Sequence, residues 1–442
     1  MEIKNIADSV RNGGVVGAGG AGFPTHVKLN CKVDMLVINA AECEPLIMVD
    51  QQLIESKTRD ILSGVELVLK AVGARGAIMG IKSKHKKAVK ALKSSLADFS
   101  NITIHELGDF YPAGDEQVLV FETTGRIVPE GGIPLAVGVV VINVETILNI
   151  YNSILGIPVT EKYVTVTGEV KNPMTVKVPI GSKVIDLIKL AGGTSLKDYM
   201  LLDGGPMMGK IIGSDSVVTK VTKGIIVLPP DHKIIISKTL NISHAIKRSM
   251  SACCQCRICT DMCPRFLLGH GIWPHMIMRA VAYGITSDSC AITSAMLCSE
   301  CGVCDMFACP MGLPPRQINM AIKKQLAAGG YKNTHKNKPK EVSEFRDYRK
   351  IPVKKLIDRL DIKKWDKPAP LTKADYDPDG VDIRLSQHIG RPSVPIVAPG
   401  ESVEKGQLIA KIQEGSLGCN MHASIKGKVK SVDKNSIVIT RR

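Results

Sequence analysis

Residues 253–264 read Cys-Cys-Gln-Cys-Arg-Ile-Cys-Thr-Asp-Met-Cys-Pro, and residues 298–310 read Cys-Ser-Glu-Cys-Gly-Val-Cys-Asp-Met-Phe-Ala-Cys-Pro. In the first run Cys253, Cys256, Cys259 and Cys263 follow C-x2-C-x2-C-x3-C-P. In the second, Cys298, Cys301, Cys304 and Cys309 repeat it with one extra residue before the last cysteine. Soft thiolates select zinc or iron–sulfur clusters. Structural zinc usually takes paired C-x-x-C units, not two triplets each with a distant fourth cysteine. Three thiolates on one tight loop can reach three irons of a cube. The fourth, beside a helix-starting proline, points away toward a second cube. The spacing therefore predicts two [4Fe–4S] clusters. One would be held by Cys253, Cys256, Cys259 and Cys309, the other by Cys298, Cys301, Cys304 and Cys263. Cys254 competes with Cys253 for the first position. Such a chain moves single electrons.

The surrounding composition agrees. Thirteen cysteines in 442 residues, with no basic flank and apolar core at the N-terminus, predict a reducing, intracellular setting rather than disulfides. Cys31, Cys43, Cys290 and Cys419 lie outside the runs and are expected to be small buried hydrophobes. The most apolar stretch, 133–150, is interrupted by Asn143 and Glu145, which argues against a membrane span. A net charge of +16 favours anionic partners. Aromatics at 4 % are too sparse for stacking on single-stranded nucleic acid, so no nucleic-acid partner is expected.

Outward from the cysteines, residues 13–28 form a glycine-rich string, Gly-Gly-Val-Val-Gly-Ala-Gly-Gly-Ala-Gly-Phe-Pro-Thr-His-Val-Lys. Gly17, Gly19 and Gly22 match G-x-G-x-x-G, which taken alone reads as a dinucleotide fingerprint or as a plain strand-to-helix turn. Three further elements follow in order: Asn39-Ala-Ala-Glu42-Cys43-Glu44-Pro45, Tyr111-Pro-Ala-Gly114-Asp115-Glu116-Gln117 and Asn143-Val-Glu145-Thr146. Asn143 also reads as the cap of a helix starting at Val144.

Together these four elements resemble the family of the RnfC subunits and the flavin-binding NADH dehydrogenase subunit of respiratory complex I. The resemblance implies FMN and NADH as ligands of an α/β domain over 1–160. It implies a phosphate cradle at Gly17, Gly19, Gly20 and Gly22 with Lys28, in the manner of anions at backbone N–H groups. It places Asn39 and Glu42 near the flavin, Gly114, Asp115 and Glu116 near the nicotinamide or flavin ring, and Asn143 and Thr146 on the phosphate side. The complex I branch has glycine at the position of His26, and a glutamate pair where Asp115-Glu116 stand here.

Alternating strand residues from Tyr163, an apolar stretch 185–191 and a stop at Gly192-Gly193 suggest a β-grasp module over 161–238. It resembles the SLBB domain of the same family. Its loop Gly204-Gly-Pro-Met207-Met208-Gly is expected to pack between domains. Residues 239–332 are expected to form a helical ferredoxin-type domain around the clusters. Residues 333–380, basic and proline-dotted, read as a linker and surface wrap. Residues 381–442 resemble a barrel-sandwich hybrid, and Lys426-Gly427 suits a plain hairpin turn. The fold class is thus multidomain α/β. This domain order resembles the cobalamin-reductase branch linked to propanediol-utilisation microcompartments. That implies electron flow from NADH through FMN and both clusters to corrinoid cobalt, a cytoplasmic location within a microcompartment, and partners such as cobalamin, its adenosyltransferase, or shell and enzyme components. Two other readings stay open: an RnfC-like NADH oxidoreductase with a protein or quinone acceptor, and a non-catalytic microcompartment docking module. No residue pattern points to acid–base or nucleophilic catalysis by a side chain.

Overall fold

The structure, a computed structural model, describes residues 3–285, 287, 289–374 and 376–441. The first unit is built on four parallel strands, β1 (Met35–Ala40), β2 (Gly76–Lys82), β3 (Ile102–Leu107) and β4 (Val139–Asn143), in the order β3-β2-β1-β4. Parallel strands need crossovers, so both faces are covered by helices and the strands read as apolar runs. Strand alternation divides β1 between two cores. Leu36 and Ile38 pack with helices Val49–Val72 and Val144–Ile154, while Val37 packs with helix Glu116–Thr124.

The β-grasp unit is a sheet centred on strands Glu161–Gly168, Met174–Pro179 and Gly224–Leu228, with helix Val184–Leu190 packed on it. Short helices over 233–328 enclose the cysteine runs. The C-terminal unit packs the sheet of Gly380–Arg384, Ser436–Thr440, Gly427–Val432 and Ser402–Val403 on a three-stranded one, around Ile383, Ile409, Met421, Ile437 and Ile439.

The stretch expected to be a linker is more than that. Ile351–Pro352 pairs antiparallel with Phe110–Tyr111, and Leu371–Thr372 adds a strand beside Met174–Pro179. Between them helix Val353–Leu360 buries Val353, Leu356, Ile357 and Leu360, followed by buried Trp365. Those positions are spaced i, i+3, i+4, i+7, one helical face. The flanking lysines hid that periodicity. The segment straps the first two units together.

Candidate functional site

The glycine string is neither a strand-to-helix turn nor a Rossmann turn, because it comes before β1. Helix Ile3–Asn12 ends, and the chain loops out and returns: Val16 bridges Pro24, and Gly17 N–H donates to Phe23 O at 2.9 Å. At Gly20, φ is +76° and no other atom would lie within 4 Å of an added Cβ, so the loop crest opens onto free space. At Gly22, φ is +69° and a Cβ would come within 2.7 Å of Val221 and 3.0 Å of Gln387 O. Only glycine allows the β-grasp and C-terminal units to approach there.

From this loop a continuous set of contacts joins the residues of all four sequence elements. Ala18 N–H donates to Thr146 Oγ1 at 2.9 Å. Thr146 lies on the first turn of the helix that Asn143 caps, its Oδ1 accepting from Glu145 N–H. Asn143 Nδ2 donates to Asp50 Oδ2 at 2.9 Å. Asn39 lies beside it on the neighbouring strand and donates from Nδ2 to Gly114 O at 2.9 Å. Lys28 Nζ meets Glu116 at 3.2 Å, both side chains partly exposed. Glu42, at φ +37°, turns its carboxylate back to accept from the N–H groups of Asp50 and Gln51, the first turn of Val49–Val72. Burial, reinforced by the Asp50 charge, pushes the Glu42 carboxyl up to about 8.

The Asp115 carboxylate caps helix Glu116–Thr124 through Gln117 and Val118 N–H and forms a two-pronged ion pair with Arg265 at 2.7 and 3.0 Å. It thereby joins the first unit to the cluster unit.

Sequence reasoning missed the floor of this bay. Lys223 Nζ lies 2.6 Å from both Asp50 oxygens and 4.0 Å from the Cβ position of Gly19. Lys162, fully buried, pairs with Glu145 and donates to Ala18 O at 3.2 Å. Both lysines come from the β-grasp unit. Nothing in their local sequence sets them apart from surface lysines. A loop with an open crest above two lysine–carboxylate pairs fits a phosphate-bearing flavin held by backbone N–H groups.

The cysteines gather about two hollows. Cys253, Cys256, Cys259 and Cys309 line one, which Cys254 also borders; Cys263, Cys298, Cys301 and Cys304 line the other. The two loops share one backbone path: Gln255 and Glu300 are left-handed at matching positions, as are Arg257 and Gly302. Three of those four are not glycine, and strain of this kind collects at functional loops. The extra residue of the second run is absorbed by a wide turn over Cys304–Ala308, closed by Cys309 N–H to Cys304 O at 3.2 Å. Backbone donors point at sulfur: Glu300 N–H to Cys298 at 3.4 Å and Leu313 N–H to Cys309 at 3.3 Å.

Burial, and after it neighbouring sulfur charge, pushes Cys259 up to about 12; burial alone dominates in raising Cys263 to about 11 and in raising Cys301 further still. Four such thiols become thiolates together only around a strong positive charge. Among the described residues no three His, Cys, Asp or Glu side chains are gathered to hold a single metal ion. Thiols spaced around a hollow suit a cluster, with one sulfur at each corner. Of the cysteines outside the quartets, Cys419 is buried as expected, Cys31 and Cys43 are half-buried, and Cys290 is exposed, contrary to expectation.

The two quartets differ in their neighbours. The Cys301 loop is held against the first unit by Tyr111, 1 % exposed, whose OH donates to Cys301 O at 2.7 Å. Met207 is fully buried in the same core, and the Glu44 carboxylate accepts from Met207 and Met208 N–H at 2.9 and 2.8 Å. Met207 thus packs between units as expected, while Met208 is exposed. Around the other quartet, Cys254, Cys256, Arg257, Met250 and Met311 are all exposed.

Comparison with known proteins follows this division. The Nuo51 FMN-binding domain matches residues 10–152, the SLBB domain 163–210, a 4Fe-4S dicluster domain 252–314 and the RnfC barrel sandwich hybrid domain 357–441. The chain is 42 % identical over its whole length to the cobalamin reductase PduS of Citrobacter freundii, covering 97 % of that protein. It is 36 % identical over 271 residues to one subunit of the Na(+)-translocating ferredoxin:NAD(+) oxidoreductase complex of Acetobacterium woodii, over 60 % of this chain and 58 % of that one. An air-oxidized NAD+-reducing [NiFe]-hydrogenase crystal structure shares the fold, with a TM-score of 0.50 at 18 % identity over 83 % of this chain and 68 % of that one. Among the described residues no helix is long and apolar enough to cross a membrane.

Proposed function

Because the chain belongs to the family of the cobalamin reductase PduS, we propose that it carries electrons from NADH to the cobalt of a corrinoid. It is an NADH-dependent oxidoreductase with FMN and two [4Fe–4S] clusters. FMN supplies the step between the two-electron hydride of NADH and the one-electron capacity of the clusters. The observation that carries the reading is the unequal setting of the quartets: one wedged against the glycine-loop unit by Tyr111 and Met207, the other open to solvent.

In this reading Gly17, Gly19, Gly20 and Gly22, with Lys28, hold the flavin phosphate, and Lys223 and Lys162 brace the loop from below. Asn39, Glu42, Gly114, Asn143 and Thr146 line the bay, and Glu116 keeps Lys28 oriented. Asp115 positions the inner quartet through Arg265. Cys263, Cys298, Cys301 and Cys304 bind the inner cluster, and Cys253, Cys256, Cys259 and Cys309 the outer one. Tyr111 and Met207 exclude water between bay and inner quartet. The acceptor meets the outer face, and the location within a microcompartment is part of the same proposal.

The test is anaerobic: iron-replete, FMN-loaded protein with NADH should convert hydroxocobalamin to lower-valent forms, followed by absorbance. Reduction of a dye acceptor without any corrinoid reduction would overturn it. That result would favour a second reading, an RnfC-like NADH oxidoreductase with a protein acceptor. The exposed Cys256, Arg257 and Met311 that line the outer hollow favour it, since a partner protein can reach them.

A further inference from the structure

Asn319 stands in the interior of helix Pro315–Ala328, 1 % exposed, and neither end of its amide completes a hydrogen bond with another described group. Asparagine is a poor helix former, and a core amide unpaired at both ends is rare. The side chain lines the inner hollow together with Cys263, Cys298, Cys301 and Cys304. Its unpaired amide therefore stands in the wall of the cysteine hollow. Arg316, one helical turn away, lines the same hollow with Nε unpaired, while its Nη1 donates to Met207 O at 3.1 Å.

Among the described residues lining the outer hollow no buried amide is left unpaired: the half-buried Gln255 donates from Nε2 to Cys253 Sγ at 3.2 Å, Arg257 pairs with Asp261, and His275 bonds Thr260. Beside Asn319, Arg316, Ser299 and Gly302, the inner hollow is walled by Pro264, Ile272, Pro274 and Val303. Taking up one electron breaks no bond and adds one negative charge to a thiolate-and-sulfide set. Apolar walls oppose that added charge, and N–H groups aimed at sulfur favour it.

Resting on the reading that these cysteines hold a [4Fe–4S] cluster, we propose that Asn319 is a positioning residue that donates its amide N–H to a sulfur of the inner cluster. It thereby holds that cluster at a reduction potential the donor side can reach. Without it, the inner cluster has one N–H donor fewer against the apolar part of its wall and is harder to reduce than in the wild type.

The test compares full-length wild type with Asn319→Leu, which fills similar space without a donor. Iron and sulfide are counted first, and each cluster is then titrated by electron paramagnetic resonance at fixed potentials. A wild-type protein without eight irons fails the cluster reading itself, independently of Asn319. With eight irons present, Asn319→Leu should shift the inner couple about tenfold toward its oxidised form, about 59 mV for one electron. The outer couple should stay in place, and flavin reduction by NADH should keep its rate. Asn319→Ala, which removes the donor without adding bulk, should give the same shift if the leucine variant assembles poorly. Unchanged inner potential in either eight-iron variant overturns the proposal. So does loss of the inner cluster from both, which would make Asn319 a structural support and not a tuning group.

Discussion

The two cysteine runs differ by one inserted residue, yet the fold gives them opposite surroundings. The inner quartet takes three cysteines from the second run and Cys263 from the first, and sits under Tyr111, Met207 and Arg316. The outer quartet takes three from the first run and Cys309 from the second, and keeps Cys256 at the surface. Like ligands in unlike settings suit a relay, in which one station must meet a buried donor and the other an external acceptor. In the proposed assignment the crossing makes the stations neighbours, since each run lines both hollows.

The sharpest break of this contrast is to remove one ligand on each side. Cys301→Ser should cost the inner cluster and uncouple all acceptors from NADH. Its effect should exceed the roughly 10–100-fold losses typical of residues behind metal ligands. Cys256→Ser should leave the flavin and the inner cluster reducible while acceptor turnover fails. Iron content and stopped-flow absorbance read both variants. If Cys256→Ser also abolishes inner-cluster reduction, the inner–outer order is wrong.

The next largest effect concerns the joint. Arg265→Met leaves the Asp115 carboxylate unpaired in a position about 10 % exposed. Breaking such a pair costs about 3–5 kcal/mol, and chemical denaturation should show it. The loss should fall on the inner side, seen as slower electron arrival at the inner cluster with the outer cluster's iron retained.

The donor bay supplies a pH test of how buried the inner side is. The folded Glu42 carboxyl lies at about 8, above its ordinary value of 4.5, so the folded chain binds a proton that the unfolded chain releases. Stability is therefore favoured below pH 4.5 and declines as pH rises from there to about 8, on the order of a few kcal/mol. Glu42→Gln, which keeps an acceptor for the Asp50 N–H, should flatten that part of the Tm profile. Profiles of equal slope would mean the bay is wetter than its geometry.

Tyr111→Phe is expected to have the smallest effect. It removes one OH from the buried Cys301 carbonyl, at about 1–3 kcal/mol. Urea unfolding should show the loss. A variant as stable as wild type would weaken the claim that this contact pins the inner loop.

How much was legible beforehand depended on whether the signal was local. The cysteine spacing carried its chemistry, because three thiolates on one tight loop suit the corners of a cluster. Asn143 was readable as a cap because capping acts over two residues. The strap helix at Val353–Leu360 was legible in its apolar spacing, but lysines among those positions masked it. The Asp115–Arg265 pair was not legible, because the two residues are 150 positions apart.

The sequence by itself determined the two thiolate quartets, the glycine loop with its companion motifs, and the order of the units. These depend on spacing within one turn or one loop, which the covalent chain imposes. Only the tertiary structure decided which quartet is the more enclosed, that Lys162 and Lys223 reach under a loop from another unit, and that Asn319 lines the inner hollow. Those facts depend on surfaces meeting across long separations, where a lysine or an asparagine changes meaning with its neighbours. The cysteines alone implied electron transfer, and their packing gave it a direction.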